Sequence, residues 1–404
     1  MDFAAPHPDP LPIECRNGER ERCAPSPTMT AGRSDFDAHM MGIALRLARR
    51  GLGQTAPNPS VGAVIADDAA GEIIARAVTA QGGRPHAETI AIAAAGARAR
   101  GATLYVTLEP CSHHGQTGPC VDAIISTGLK RVAVGIEDPD PRVAGRGLDK
   151  LRAAGIEVQR GAGAVEARWI TRGHIVRVTE RRPFVTLKLA LQPDGDVPRG
   201  RDGIALMVTG DAANARGHLM RAQSDAILVG ATTVTDDDPK LTCRLPGLTK
   251  RSPVRVVLSR GLDISTQSKL AKTAGCVPVW VMCGGGADHS RREALTTCGV
   301  DVIDVTEVGG ALWLPAVMEA LVARGITRLL VEGGPRVWRA FADAALVDEV
   351  ALFMTGAAAS RNDDPALAAA QRWLGPVPLT LEGSDVLGAD RLWRFRRTLM
   401  KEGR

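Results

Sequence analysis

His86, Glu88, Cys111 and Cys120 are the residues of this 404-residue chain whose types and spacing could do chemistry together. One imidazole and two thiolates form a nitrogen–sulfur donor set suited to Zn²⁺, and three protein ligands leave a fourth position for water. Glu88, two residues past the histidine, could carry protons for a hydrolysis at that point. Cys120 follows Pro119 at an expected helix start, where backbone N–H groups favour a thiolate. His86 follows Pro85 and also opens a helix, and Cys111 comes just after a strand ending at Leu108. The three ligands are thus expected at converging chain ends, where open α/β sheets place their sites. Positions i and i+2 do not share a face of a regular helix, so His86 and Glu88 must meet through the first turn. The plainer alternative is a polar helix-start histidine and two small core cysteines.

The order His-x-Glu, then Pro-Cys, then Cys is that of the zinc-dependent base deaminases, matched here as a pattern. It points to hydrolytic removal of an amino group from a heterocycle. Eight residues separate Cys111 from Cys120, where that signature has two, so residues 112–118 must loop out. The loop offers His113 and His114, either of which could touch substrate.

The elements that must position these residues alternate. A helix capped by Asp35 and Asp37 is expected to run to Gly51. Strands are expected over 61–66 and 72–79, a helix over 87–98, a strand over 103–108, a helix over 121–127 and a strand over 131–136. A helix over 147–154, a strand over 156–159 and a helix over 165–178 complete the first half. Glu180-Arg181-Arg182-Pro183 marks a domain boundary, giving a deaminase domain at 34–181 and a second domain at 182–404. The second half reads as strands over 184–191, 226–230, 254–258, 278–282, 300–305, 328–332 and 349–353. Helices are expected over 212–222, 314–324 and 336–344. Alternation of this kind indicates α/β layers with helices covering a mixed sheet.

Two further motifs stand in the second half. Glu332-Gly333-Gly334-Pro335 lies between an apolar strand and a helix, where glycines let the backbone approach a phosphate. Arg221 could meet a phosphate through two parallel hydrogen bonds; its plainer role is a solvated helix residue. The stretch Thr107–Gly115, together with Pro57-Asn58-Pro59-Ser60-Val61-Gly62, resembles the bifunctional riboflavin-biosynthesis deaminase–reductase family from about Asp35 to about Phe353. The resemblance implies an N-terminal cytidine-deaminase-like three-layer domain and a C-terminal dihydrofolate-reductase-like domain. The first would deaminate a phosphoribosylated diaminopyrimidinone, and the second would reduce its ribosyl group with NADPH. By the same resemblance His86, Cys111 and Cys120 hold Zn²⁺ and Glu88 shuttles protons. Substrate would meet Asn58, His113, Arg221, Leu241, Arg244 and Glu332. The nicotinamide cofactor would meet Ala190, Thr233, Asp237, Ser259, Gly334 and Pro335. The chain departs from the family at Gln192-Pro193, where Ser-Leu is usual, and at Ala205-Leu206-Met207, where Ser-x-Trp is common. A proline at 193 removes a backbone donor. These departures keep open a second reading, a deaminase whose C-terminal domain is a binding or oligomerisation module.

Composition narrows the partners. The net charge of +5 is small and mixed, and aromatics are 3%. That leaves neither a basic stripe nor stacking platforms for a polymer, so a nucleic-acid editing deaminase is disfavoured and a small phosphorylated substrate preferred. No apolar run approaches the ~20 residues of a membrane span. Eight scattered cysteines fit a reduced, cytoplasmic protein better than a disulfide framework, and a homo-oligomer is expected. Residues 1–33, rich in Pro and Arg without periodicity, are expected to be a disordered tail, with Met29 and Met40 as candidate starts.

Overall fold

The computed structural model describes residues 27–113, 118–141, 143–198, 210–358 and 363–398. The first half runs α1 (Pro27–Gly51), β1 (Gly62–Asp67), β2 (Glu72–Val78), α2 (Ala87–Ala95), β3 (Thr103–Leu108), α3 (Cys120–Thr127), β4 (Arg131–Ile136), α4 (Arg146–Ala153), β5 (Glu157–Arg160) and α5 (Ala164–Glu180). Its five-stranded sheet has the order β2-β1-β3-β4-β5. β1 is antiparallel to both neighbours, whereas β3, β4 and β5 are parallel. β3 and β4 are buried along their whole length, as strands covered on both faces must be. The helices α1 and α5 pack against each other and the sheet, while α2, α3 and α4 follow one another in contact. The expected three layers are present.

One expectation fails here. The helix α1 starts at Pro27, so Asp35 and Asp37 lie inside it. Asp37 is 5% exposed and takes the Arg131 guanidinium from β4, as well as the Tyr105 hydroxyl at 2.6 Å. A buried ion pair to a residue far along the chain has replaced the local capping role. Residues 1–26 of the expected tail lie outside the described residues.

The second half runs β6 (Phe184–Leu191), α6 (Asp211–Ala222), β7 (Ala226–Gly230), α7 (Ala231–Asp237), β8 (Val254–Leu258), α8 (Lys269–Lys272), β9 (Val279–Cys283), α9 (His289–Thr297) and β10 (Asp301–Asp304). It continues with β11 (Glu307–Val308), β12 (Ala311–Leu312), α10 (Leu314–Ala323), β13 (Arg328–Val331), α11 (Pro335–Asp343), β14 (Glu349–Met354), α12 (Asp364–Leu374), β15 (Leu379–Leu387) and β16 (Asp390–Arg397). Nine strands form one sheet in the order β10-β9-β8-β7-β13-β6-β14-β16-β15. It is parallel from β10 to β14 and closes with an antiparallel pair. The helices α7, α9 and α12 and the final hairpin were not read from the sequence. The turn at Gln192-Pro193-Asp194-Gly195 forms without a donor at Pro193: Gln192 N–H bonds Asp196 O at 2.8 Å, and Gly195 N–H bonds Gln192 O at 2.9 Å. The second departure, at 205–207, lies outside the described residues.

The halves are joined tightly. Arg172 of α5 pairs with Glu349 of β14 at 2.6 Å and lies 4.3 Å from the Phe184 ring centroid. Arg328 of β13 donates to Ile170 O at 3.1 Å. Gly173 permits this approach, since a Cβ there would meet Arg328 Cγ at 2.7 Å.

Candidate active site

The structure brings His86, Cys111 and Cys120 to one point. His86 is the N-cap of α2 with extended backbone (φ −70°, ψ 156°), and its side chain makes no capping bond. The ring instead turns toward the thiols: Nδ1 lies 3.3 Å from Cys120 Sγ and 3.6 Å from Cys111 Sγ. Cys120 opens α3, and its backbone N–H donates to Cys111 Sγ at 3.3 Å. The three ligand atoms lie within 4.8 Å of one another. One nitrogen and two sulfurs converging from separate chain ends are the donor chemistry that Zn²⁺ takes, so the residues fit the metal. The Cys111 thiol is lowered to about 4 by the hydrogen bond from the Cys120 thiol, against the effect of burial, with His86 adding to it. The same bond and burial push Cys120 up. His86 is raised by its bond to Cys111. Glu88, 3% exposed, is pushed up to about 7 by burial, opposed by the nearby His86.

His86, Glu88 and Cys111 line a cavity of about 670 Å³ together with Asn58 and His113. The amide nitrogen of Asn58 donates to Gly83 O at 2.8 Å. His113 keeps a buried Nδ1 with no hydrogen-bond partner among the described residues, whereas His114 lies outside them. Sequence reasoning missed Glu109. Its buried carboxylate accepts four backbone N–H groups: Gly145 and Gly147 at 3.0 Å, Asp138 at 3.2 Å and Leu148 at 3.4 Å. It thereby fastens the cavity wall around Asp138 to the strand end that carries Cys111. Its position inside Leu108-Glu109-Pro110-Cys111, an acid in an apolar exit from a strand, was the available signal.

The second cluster lies at the carboxyl ends of four neighbouring parallel strands, β8, β7, β13 and β6, where ligand crevices form in such sheets. Ala190 is next to last in β6, Thr233 and Asp237 lie on α7 just past β7, and Ser259 follows β8. Glu332 follows β13, Gly334 caps α11 and Pro335 opens it. A Cβ at Gly333 would meet Val337 at 2.7 Å, which explains a glycine there. Arg221 is not a solvated residue: its side chain is 13% exposed and grips Glu332 through Nε (2.8 Å) and Nη2 (2.7 Å), with Nη1 on Thr242 O at 3.2 Å. Lys188, which the sequence reading overlooked, lies 3.6 Å from the same carboxylate. Burial would raise Glu332, but Lys188 and Arg221 outweigh it and hold the carboxyl at about 2. Arg244 is lowered by burial and by the charge of Arg221, and its backbone N–H faces His218 Nδ1 at 3.4 Å. Leu241 sits between these groups in sequence, buried, with φ 52°. Arg221 and Lys188 thus clamp a single fixed carboxylate, and the charge of Arg244 lies near enough to feel it.

Residues 34–136 match the cytidine and deoxycytidylate deaminase zinc-binding region, and residues 183–359 match the RibD C-terminal domain. The chain is 39% identical over 315 residues to the riboflavin biosynthesis protein RibD of Bacillus amyloliquefaciens, covering 78% of this chain and 83% of that one. A solved diaminohydroxyphosphoribosylaminopyrimidine deaminase/5-amino-6-(5-phosphoribosylamino)uracil reductase from Thermotoga maritima superposes with TM-score 0.75 at 33% identity, over 90% of this chain and 99% of that one. RibD of Acinetobacter baumannii superposes with TM-score 0.76 at 31% identity, over 91% of this chain and all of that one (100%).

Proposed function

This chain belongs to the RibD family, the bifunctional deaminase–reductases of riboflavin biosynthesis, and from that premise we propose how its own residues carry the two reactions. The substrate proposed for the first is 2,5-diamino-6-(5-phosphoribosylamino)pyrimidin-4-one, hydrolysed at its 2-amino group. The second reduces the ribosyl group of the resulting uracil to a ribityl chain with NADPH. The convergence of the His86/Cys111/Cys120 triad at the wall of a nucleotide-sized cavity that Glu88 also lines is the observation that carries the deaminase assignment.

In the first site His86, Cys111 and Cys120 would hold Zn²⁺, which when bound supplies Lewis-acid activation of water. Glu88 does the proton work: it accepts a proton from the attacking water and delivers it to the departing ammonia. Its near-complete burial keeps bulk water from competing for that proton. Asn58 and His113 orient the base. Hydrolysis at C2 exchanges an amino group for an oxygen and releases ammonia, so no redox partner is needed there.

In the second site the Gly334 cap and Pro335 leave the first N–H groups of α11 open to a cofactor phosphate. Ala190, Thr233, Asp237 and Ser259 line the remaining cofactor positions. Arg244, Arg221 and Leu241 take the substrate, and Glu332 faces its hydroxyls. A nicotinamide cofactor held there would supply hydride for C1′; the C1′–O4′ bond opens, O4′ takes a proton from solvent and the nitrogen is left as a secondary amine. The closed turn at Gln192–Asp196 supports an intact strand end despite Pro193.

A homo-oligomer is proposed on the exposed edge strand β15, nine residues long. A cytoplasmic setting is proposed because Cys111 and Cys120 must stay reduced to bind metal, and the cysteines among the described residues are unpaired. No helix among the described residues is long and apolar enough to cross a membrane. The test is one purified preparation given the diaminopyrimidinone nucleotide: ammonia should appear, followed by oxidation of NADPH. Ammonia without NADPH oxidation would leave the second domain as a binding module.

A further inference from the structure

The cavity lined by His86, Glu88 and Cys111 has a further wall with no part in the proton chemistry. His174, Arg177, Val178 and Arg181 all line it, and their spacing of i, i+3, i+4 and i+7 is that of one helix face. They come from the last two turns of α5 and its C-cap, the segment leading directly into the second domain. His174 is held in place: its Nε2 lies 3.0 Å from Asp138 Oδ1, with side chains 11% and 10% exposed. Asp138 is itself fixed, since its N–H bonds Glu109 at 3.2 Å and its Oδ1 accepts Asp140 N–H at 2.9 Å. A carboxylate facing Nε2 keeps the imidazole proton there and leaves Nδ1 as an acceptor. That Nδ1 is buried and has no hydrogen-bond partner among the described residues. A buried acceptor without a donor is costly unless something supplies one. Arg181 reaches the same cavity from a left-handed C-cap (φ 56°). Arg177 also lines it while donating to Pro57 O at 2.6 Å. Cations at a helix C-terminus suit its dipole and would neutralise an anion there.

We propose that this face of α5 reads the deaminase substrate: His174, oriented by Asp138, accepts a hydrogen bond from a substrate N–H or O–H, and Arg181 with Arg177 meets the phosphate. The inference rests on the deaminase reading and names the residues that would select a phosphorylated nucleotide over a free base.

The experiment uses the full-length, zinc-loaded protein. His174→Phe removes the acceptor while keeping a ring of similar volume. It should raise KM for the nucleotide about tenfold, the worth of one hydrogen bond, with kcat and zinc content near wild type, and lower the melting temperature by a few degrees because Asp138 loses its donor. His174→Gln, which restores an acceptor, should recover part of the loss. Arg181→Gln should raise KM for the phosphorylated substrate and leave that for its dephosphorylated form unchanged, whereas His174→Phe should weaken both. The same factors should appear in calorimetric binding of the nucleotide to a Glu88→Gln background. An unchanged KM in His174→Phe, or a loss that tracks zinc content and is not recovered in part by His174→Gln, overturns the proposal and makes the Asp138 contact a structural bridge. A wild type that releases no ammonia sinks the deaminase reading instead, and calorimetry on the wall variants still reports on His174 and Arg181.

Discussion

Glu332→Gln is the substitution whose outcome follows most directly from the structure. The carboxylate is 8% exposed, receives two charge-assisted hydrogen bonds from Arg221 at 2.7 and 2.8 Å, and has Lys188 at 3.6 Å. Removing its charge leaves two cations in a poorly solvated place, which typically costs about 3–5 kcal/mol. A second route to the magnitude agrees. A carboxyl held at about 2 rather than its ordinary 4.5 carries about 3 kcal/mol of folding free energy. For a unit of roughly 200 residues that is a fall in melting temperature of about 10 °C.

The pH dependence has a definite sign. A depressed carboxyl contributes its full stability above the unfolded value of 4.5 and loses it as pH falls toward about 2. About 2 kcal/mol should already be gone by pH 3. The difference in urea midpoint between wild type and Glu332→Gln should therefore be largest near pH 7 and shrink between pH 5 and 3. A variant that melts within about 2 °C of wild type at pH 7, or a difference that does not depend on pH in that window, would refute the reasoning. It would mean that Arg221 and Lys188 are well solvated without their partner.

Three other outcomes are expected. Glu88→Gln should keep stoichiometric zinc by elemental analysis while ammonia release falls by about 10²–10⁴-fold, the usual worth of a positioned general acid–base; an ordinary rate would remove the proton-shuttle role. Cys120→Ser should lose the metal as well as the activity, because two donors are too few to retain it; full zinc occupancy would contradict the ligand set. Glu109→Gln should destabilise the first domain by about 2–4 kcal/mol, since an amide turns one N–H toward donors that need an acceptor. Hydrogen exchange should show it at the amides of Gly145, Gly147 and Leu148, and unchanged protection there would count against the anchor.

The parts of this molecule that were legible in the sequence are those decided locally. β3, β4 and β6 have the observed limits because strands buried on both faces are mostly apolar, β-branched-rich runs bounded by turn residues. The metal triad was legible because few residue types bind zinc and their order along the chain is itself restrictive. The final hairpin was not, for the opposite reason. β15 is an edge strand with little burial on either face, so Leu379–Leu387 carries no alternation to read. Asp37 failed in a more instructive way. An acid near an expected helix start has the local signature of a cap, but its partner Arg131 is 94 residues away, and a buried ion pair outweighs a cap worth about 1 kcal/mol.

The same division separates the chemistry from its support. His86, Glu88, Cys111 and Cys120 announce themselves by type, whereas Glu109, Asp138 and His174 do not, because their contribution lies in which atoms they meet. Glu109 bonds only backbone amides, so nothing in the residues it serves marks it. His174 stands on a helix that the sequence marks only as the last element before the domain boundary, and the fold turns it toward the metal cavity. Reaction class is therefore readable from a few side chains, while substrate choice is written in long-range contacts. Two chains with the same triad can prefer different nucleotides. The residues to compare between them are those on the last two turns of α5, where a single imidazole or guanidinium decides what the cavity will hold.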